Sequence, residues 1–172
     1  MLDDVIYIKG IIAEDFVNYK KPCMVIEMPV CDFKCDKECG KAVCHNSALA
    51  QSENIPVAIK SIIDLYINNP ITEAICFQGL EPFDSFDDML SIIHELKVVN
   101  CNDDIVIYTG YNKNEIPIEQ LTELYMAAAG QIIIKWGRFI PDMPNHYDNI
   151  LGVTLASNNQ YAEIMDESYY EI

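Results

Sequence analysis

Four short apolar runs recur along this chain of 172 residues: CMVIEMPV from Cys23, EAICFQGL from Glu73, DIVIYTGY from Asp104 and QIIIKWGRFI from Gln131. Each is rich in apolar residues, Val and Ile prominent among them, and closes on a polar or glycine-bearing loop, the signature of a strand. VIYIKGIIAEDF, near the start, reads as one further strand. Between the runs the apolar period changes. In IPVAIKSIIDLYI, Ile55, Ala58, Ile59, Ile62, Ile63 and Tyr66 share a helical face that stops at Asn68, Asn69 and Pro70. In SFDDMLSIIHEL the shared face holds Phe86, Met89, Leu90, Ile93 and Leu96, with Ser85 placed to cap the first turn. IPIEQLTELYMAAAG is a third helix, with Pro117 near its start and Gly130 past its end. Strands alternating with helices predict an α/β fold with a mostly parallel sheet, in a single domain over residues 1–172.

In a sheet of that kind, ligands collect at the carboxyl ends of the strands. Cys31, Gln78 with Gly79, Thr109 with Gly110, and Gly137 each lie just past a predicted strand. The loops that bear them are therefore expected to share one rim.

Charge narrows the partners. The 27 acids and 11 bases give a formal charge of −16, which repels phosphate backbones, so no nucleic-acid partner is expected. Acids are somewhat denser in the closing AEIMDESYYEI, which reads as a solvated surface or a face for a basic partner. No apolar run approaches the ~20 residues of a membrane span. The first ten residues carry two acids where a secretory signal carries bases. A soluble, cytoplasmic protein is the expectation.

Four of the seven cysteines, Cys31, Cys35, Cys39 and Cys44, fall within fourteen positions. In a reducing compartment, an odd total argues against a disulfide framework and for metal or redox chemistry. Structural zinc usually draws on two cysteine pairs separated by a longer loop, a spacing that this single loop lacks. An iron–sulfur cluster suits it better, because soft thiolates favour such clusters and three thiolates leave one iron open. Cys31, Cys35, Cys39 and Cys44 can supply those three thiolates from one loop. Cys23, Cys76 and Cys101 do not offer a fourth ligand, and Cys76 inside an apolar run reads as a small core residue.

In order along the chain, EDFVNYKKPCMVIEMPVCDFKC, CHN at 44–46, FQGLEPF at 77–83, YTGY at 108–111, WGRF at 136–139 and ASNNQ at 156–160 resemble motifs of the radical S-adenosylmethionine enzymes. The likeness is to the small activating proteins of anaerobic (class III) ribonucleotide reductase. It departs from them in places. Their usual C-x3-C-x2-C spacing is not met, since Cys39 would give a second gap of three residues and Cys44 a gap of eight. Val43 stands where the family often has an aromatic, and Gln78 and Leu80 alter the "GGEP" loop, in which Gly79, Glu81 and Pro82 match.

The resemblance implies a partial (β/α) barrel of radical S-adenosylmethionine type. It implies a 4Fe-4S cluster on Cys31, Cys35 and Cys44, the last preferred because CHN carries the likeness. It implies S-adenosylmethionine as the second cofactor, chelating the open iron and yielding a 5′-deoxyadenosyl radical. Gln78, Gly79 and Glu81 would accept from its ammonium, and Thr109, Ser157 and Asn158 would bond ribose hydroxyls or the carboxylate. The implied partners are an anaerobic ribonucleotide reductase, which would receive a glycyl radical, and an electron donor such as flavodoxin or ferredoxin. The rival readings are a small radical enzyme acting on a small molecule and a non-catalytic zinc-binding module. Lys34, Lys37 and Lys41 set positive charge around the cysteines or simply solvate the loop. His45 reads as an exposed loop residue, His94 as a helix residue and Trp136 as core or interface.

Overall fold

A computed structural model describes residues 4–169, so the first three and last three positions of the expected domain, with the end of the acidic tail, lie outside the described residues. The chain begins with β1 (Val5–Ile8) and β2 (Gly10–Asp15), followed by β3 (Cys23–Met28). After two short helices, α1 (Lys34–Cys39) and α2 (Ser47–Gln51), come β4 (Ile55–Ala58) and α3 (Ile59–Ile67). Then follow β5 (Ala74–Gly79), α4 (Phe86–Val98), β6 (Asp104–Tyr108), α5 (Ile118–Ala127) and β7 (Ile132–Trp136). The chain closes with β8 (His146–Asp148), β9 (Val153–Leu155) and β10 (Tyr161–Ile164).

Six strands form the main sheet in the order β10-β7-β6-β5-β3-β2. The inner four are parallel, as the apolar runs predict, while β2 and β10 pair antiparallel at the two edges. The sheet is therefore mixed and open; it does not close into a barrel.

Side chains alternate across it with period two. Met24, Ile26, Ile75, Phe77, Ile107 and Trp136 enter the larger core, which α3, α4 and α5 cover. Cys23, Val25, Cys76, Val106 and Ile133 face the other way, toward Tyr19, Leu151 and Leu155. Among the described residues no long helix lies in that second layer, and residues 16–22 with the β8–β9 hairpin supply its apolar cover. Burial on both faces explains why the inner strands read as continuous apolar runs.

Three local expectations are corrected. VIYIKGIIAEDF is two strands, because the chain breaks at Lys9 and β1 leaves the sheet to pair with β4. Ile55–Ala58 is strand, and the helix starts only at Ile59. Pro56 has no N–H to give a helix, and β-branched Ile55 and Val57 suit a peripheral ribbon. Ser85 makes no capping bond, since a 3-10 turn over Pro82–Ser85 precedes α4 and the Glu81 side chain caps that turn by accepting from Phe83 N.

The expected stop at Gly130 has a packing reason. A Cβ there would lie 1.9 Å from the backbone oxygen of Asp103. Gly130→Ala is expected to lower stability by ~1–3 kcal/mol, the usual cost of overpacking, measured as a lower denaturant midpoint at constant slope.

Candidate metal centre

The loops that follow β3, β5, β6 and β7 converge on a cavity of about 450 Å³. Cys31, Cys35 and Cys44 all line it, whereas Cys39 is exposed and does not. The loop that carries them is folded by its own side chains. Phe33 takes a left-handed conformation (φ 56°) that turns the chain into α1, and Gly40 (φ 69°) ends that helix by donating to the Asp36 carbonyl. Asp36 then closes the excursion, its Oδ1 accepting from Val43 N at 2.7 Å and Cys44 N at 2.8 Å. The third thiol is thereby returned to the second across eight intervening residues.

Two of the sulfurs already receive backbone donors, Cys31 Sγ from Phe33 N at 3.3 Å and Cys44 Sγ from Asn46 N at 3.4 Å. Bonds of this kind favour thiolate over thiol and tune iron–sulfur potentials. Burial alone works in the opposite direction, raising the Cys31 thiol to about 11. The Cys35 thiol is also raised, first by burial and then by Cys44 beside it. A bound metal reverses this balance, because its charge deprotonates a coordinating thiol. Cys31 also lies near Asp32 and Asp84, with one ligand atom of each within 4.8 Å of the others. The Asp84 carboxylate is engaged, one oxygen accepting from Asp32 N at 3.0 Å and the other from the Tyr111 hydroxyl at 2.5 Å.

Opposite the thiols stand the strand ends. Gly79 adopts φ 91°, and a Cβ there would meet Glu27 Cα at 3.0 Å and a Leu49 methyl at 3.1 Å, so the chain passes where only glycine fits. The Gly79 carbonyl accepts from the Asn46 side chain, which ties the cysteine loop to β5. Glu81 is buried and receives three donors: Phe83 N at 3.1 Å, Thr109 Oγ1 at 2.7 Å and Gly110 N at 2.8 Å. A carboxylate has about four acceptor sites, so one remains unused. Burial nevertheless prevails over these bonds and raises its carboxyl to about 7.

Gln78, Gly79, Glu81 and Thr109 line the cavity together with the three thiols, and Ser157 and Asn158 do not. Ser157 is fully buried, its hydroxyl accepting from Ile140 N and its own N–H donating to Gln160 Oε1, while Asn158 is exposed. Thr109 spends its hydroxyl proton on Glu81, so it orients that carboxylate and has no proton left to donate to a ligand.

Several lining residues went unremarked in the sequence. Lys135 is buried in β7, its ammonium donating to the carbonyls of Thr109 at 3.1 Å and Gly137 at 2.9 Å and leaving its third proton uncommitted. Burial lowers it to about 8 against the pull of Glu81. Arg138 forms a two-toothed pair with Glu115 at 2.7 and 2.6 Å and holds that carboxyl down at about 2. Gln160 donates to the Gly137 carbonyl at 3.2 Å. A lysine inside QIIIKW was the available signal for this wall, since a charge in a buried strand needs a purpose. Asp36, beside a cysteine, offered none.

Residues 23–160 match the family model described as a 4Fe-4S single cluster domain, and the chain belongs to that family. No curated protein matches the chain. The donor set fits a cluster of this kind: three soft thiols converge in one loop, and two of them hold N–H···S bonds. A closed four-thiolate zinc site is not assembled among the described residues, because Cys39 is exposed and does not line the cavity that the other three share.

Asp36→Ala is expected to cut iron uptake severalfold on anaerobic reconstitution, while Asp36→Asn, whose amide oxygen can still accept from both N–H groups, retains most of it. Glu81 gives a pH signature in the metal-free chain. Its folded pKa of about 7 exceeds the ordinary 4.5, so the folded form binds the extra proton between those values. Stability is therefore greatest below pH ~4.5 as far as this group is concerned and falls as pH rises through ~7, by up to ~3 kcal/mol. Chemical denaturation across that range should show the fall in the parent chain and lose it in Glu81→Gln.

Proposed function

We propose that this chain is a radical S-adenosylmethionine activase that installs a glycyl radical on an anaerobic ribonucleotide reductase. The observation that carries the reading is the single cavity shared by three thiols and four strand-end residues that the motif resemblance selects, Gln78, Gly79, Glu81 and Thr109. The family match supports the cluster, and the ordered motifs support the rest.

In this reading Cys31, Cys35 and Cys44 hold the 4Fe-4S cluster and leave one iron without a protein ligand. Bound together, cluster and S-adenosylmethionine supply one-electron cleavage of the sulfonium and a 5′-deoxyadenosyl radical. The chain's own residues bind and orient. The spare acceptor of Glu81 receives the methionine ammonium, with Thr109, Gly110 and Phe83 fixing that carboxylate from behind. The remaining proton of Lys135 is available to the methionine carboxylate from the wall that Gly137 and Gln160 complete. A buried acid and a buried base that line one cavity, both bonded to Thr109, suit a zwitterion, and the low dielectric there strengthens both contacts.

Size favours a protein substrate. About 450 Å³ is the volume of a single small-ligand site, and cluster and S-adenosylmethionine both draw on it. A glycine presented on a partner's loop needs only the mouth of the cavity. Reduction of the cluster falls to a one-electron donor such as flavodoxin or ferredoxin.

The test is anaerobic reconstitution followed by an assay for 5′-deoxyadenosine. Cys31→Ala, Cys35→Ala and Cys44→Ala are each expected to abolish its formation, and Cys39→Ala to retain most of it. Co-purification with a large glycyl-radical subunit would support the proposed substrate. Stoichiometric zinc in oxygen-free protein would contradict the reading.

A further inference from the structure

On a chain of net charge −16, the cations that remain free are informative. Among the described residues, Lys21, Lys34, Lys60, Lys113 and Arg138 form ion pairs with carboxylates. Lys9, Lys97 and Lys135 donate to backbone carbonyls, and Lys20 lies over the ring of Tyr19. Among the described residues, the ammonium groups of Lys37 and Lys41 have neither an acidic partner nor a hydrogen bond, and both side chains are exposed on the loop between Cys35 and Cys44. None of the acids of the same loop is paired with either lysine. Asp32 accepts from Lys34 N, Asp36 turns inward to Val43 and Cys44, and Glu38 lies 3.4 Å from the Arg138 guanidinium. Gly40 stands between the two lysines, with open space where a Cβ would project.

We infer that the outer surface of the cysteine loop, centred on Lys37 and Lys41, is the docking face for an acidic one-electron carrier protein. The inference rests on the reading above that a cluster is held and reduced here. Electron transfer falls steeply with distance, so the carrier has to sit over the cysteine loop. Contacts between redox proteins are small and short-lived, and an exposed helical turn of this size suffices for one. Charge sets the rate of such encounters more than their strength. Two unpaired ammonium groups on an acidic molecule steer an acidic carrier to this loop and away from the remaining surface. The step itself is simple: the carrier is oxidised by one electron, the cluster is reduced by one, and no bond forms or breaks.

The probe is a flavodoxin reduced to its hydroquinone, mixed anaerobically with the reconstituted protein while cluster bleaching is followed by stopped flow. The second-order rate constant should fall with added salt. The double substitution Lys37→Glu, Lys41→Glu should reduce it about tenfold or more at low ionic strength, within the usual range of electrostatic steering, and reverse the salt dependence, so that the rate rises with added salt. The cationic radical of methyl viologen serves as the control, and the double variant should react with it as fast as the parent or faster. A loss of rate with both reductants would mean a damaged cluster site and would overturn the docking assignment. So would a flavodoxin rate indifferent to the substitutions in a chain that methyl viologen reduces normally. In that last case the cluster reading stands and only the docking face is lost; a chain that takes up no cluster refutes both.

Discussion

Two backbone N–H groups, those of Val43 and Cys44, end on one carboxylate oxygen of Asp36, and the metal centre depends on that pair of bonds. Without it, the third thiol sits at the end of an eight-residue excursion with no reason to return to the second. Closing a loop of that length costs ~2 kcal/mol in its length-dependent part. Hydrogen bonds to a charged group contribute ~1.5–3 kcal/mol each, so two of them offset the closure. The loop thus arrives at the cavity already folded, and binding a cluster need not order it from a random start. Asn46 extends the restraint by bonding the Gly79 carbonyl, so the thiol loop and the end of β5 are set relative to each other.

The rest of the site is a consequence of parallel strands. β3, β5, β6 and β7 deliver their loops to one edge of the sheet, and each contributes a different kind of group: thiols, a carboxylate, a hydroxyl and an ammonium. Glu81 is the joint between two of them. It caps the turn after β5 and binds Thr109 and Gly110 after β6, so its position is fixed by the backbone of both loops. Lys135 does the same between β6 and β7 by donating to Thr109 and Gly137. Acid and base are both buried, both shifted toward neutrality by desolvation, and both left with one unused bonding position.

Much of this was legible in the residues because burial writes a strong signal. The inner strands are buried on both faces and so appear as unbroken apolar runs, and their ends mark the site. Cys31, Cys35, Cys44, Gln78, Gly79, Glu81 and Thr109 could be gathered on that basis and from the motif likeness. What escaped was decided by contacts remote in sequence. β1 pairs with β4 across some fifty residues, which no local period at Ile55 reveals. Ser157 and Asn158 were selected by the motif likeness alone; Ser157 bonds Ile140 and Gln160 in the core and Asn158 lies on the surface, neither lining the cavity. Lys37 and Lys41 stand out only once every other cation has been given its partner, and that is knowable from coordinates alone.

The central claim is that three protein thiolates hold the cluster and the fourth iron is open to a small ligand. Mössbauer spectra of the reconstituted, iron-57-labelled protein, recorded with and without S-adenosylmethionine, test it most directly. One iron in four should change its isomer shift on addition while the other three stay as they were. Four irons with thiolate-type parameters, unmoved by S-adenosylmethionine, would contradict the account.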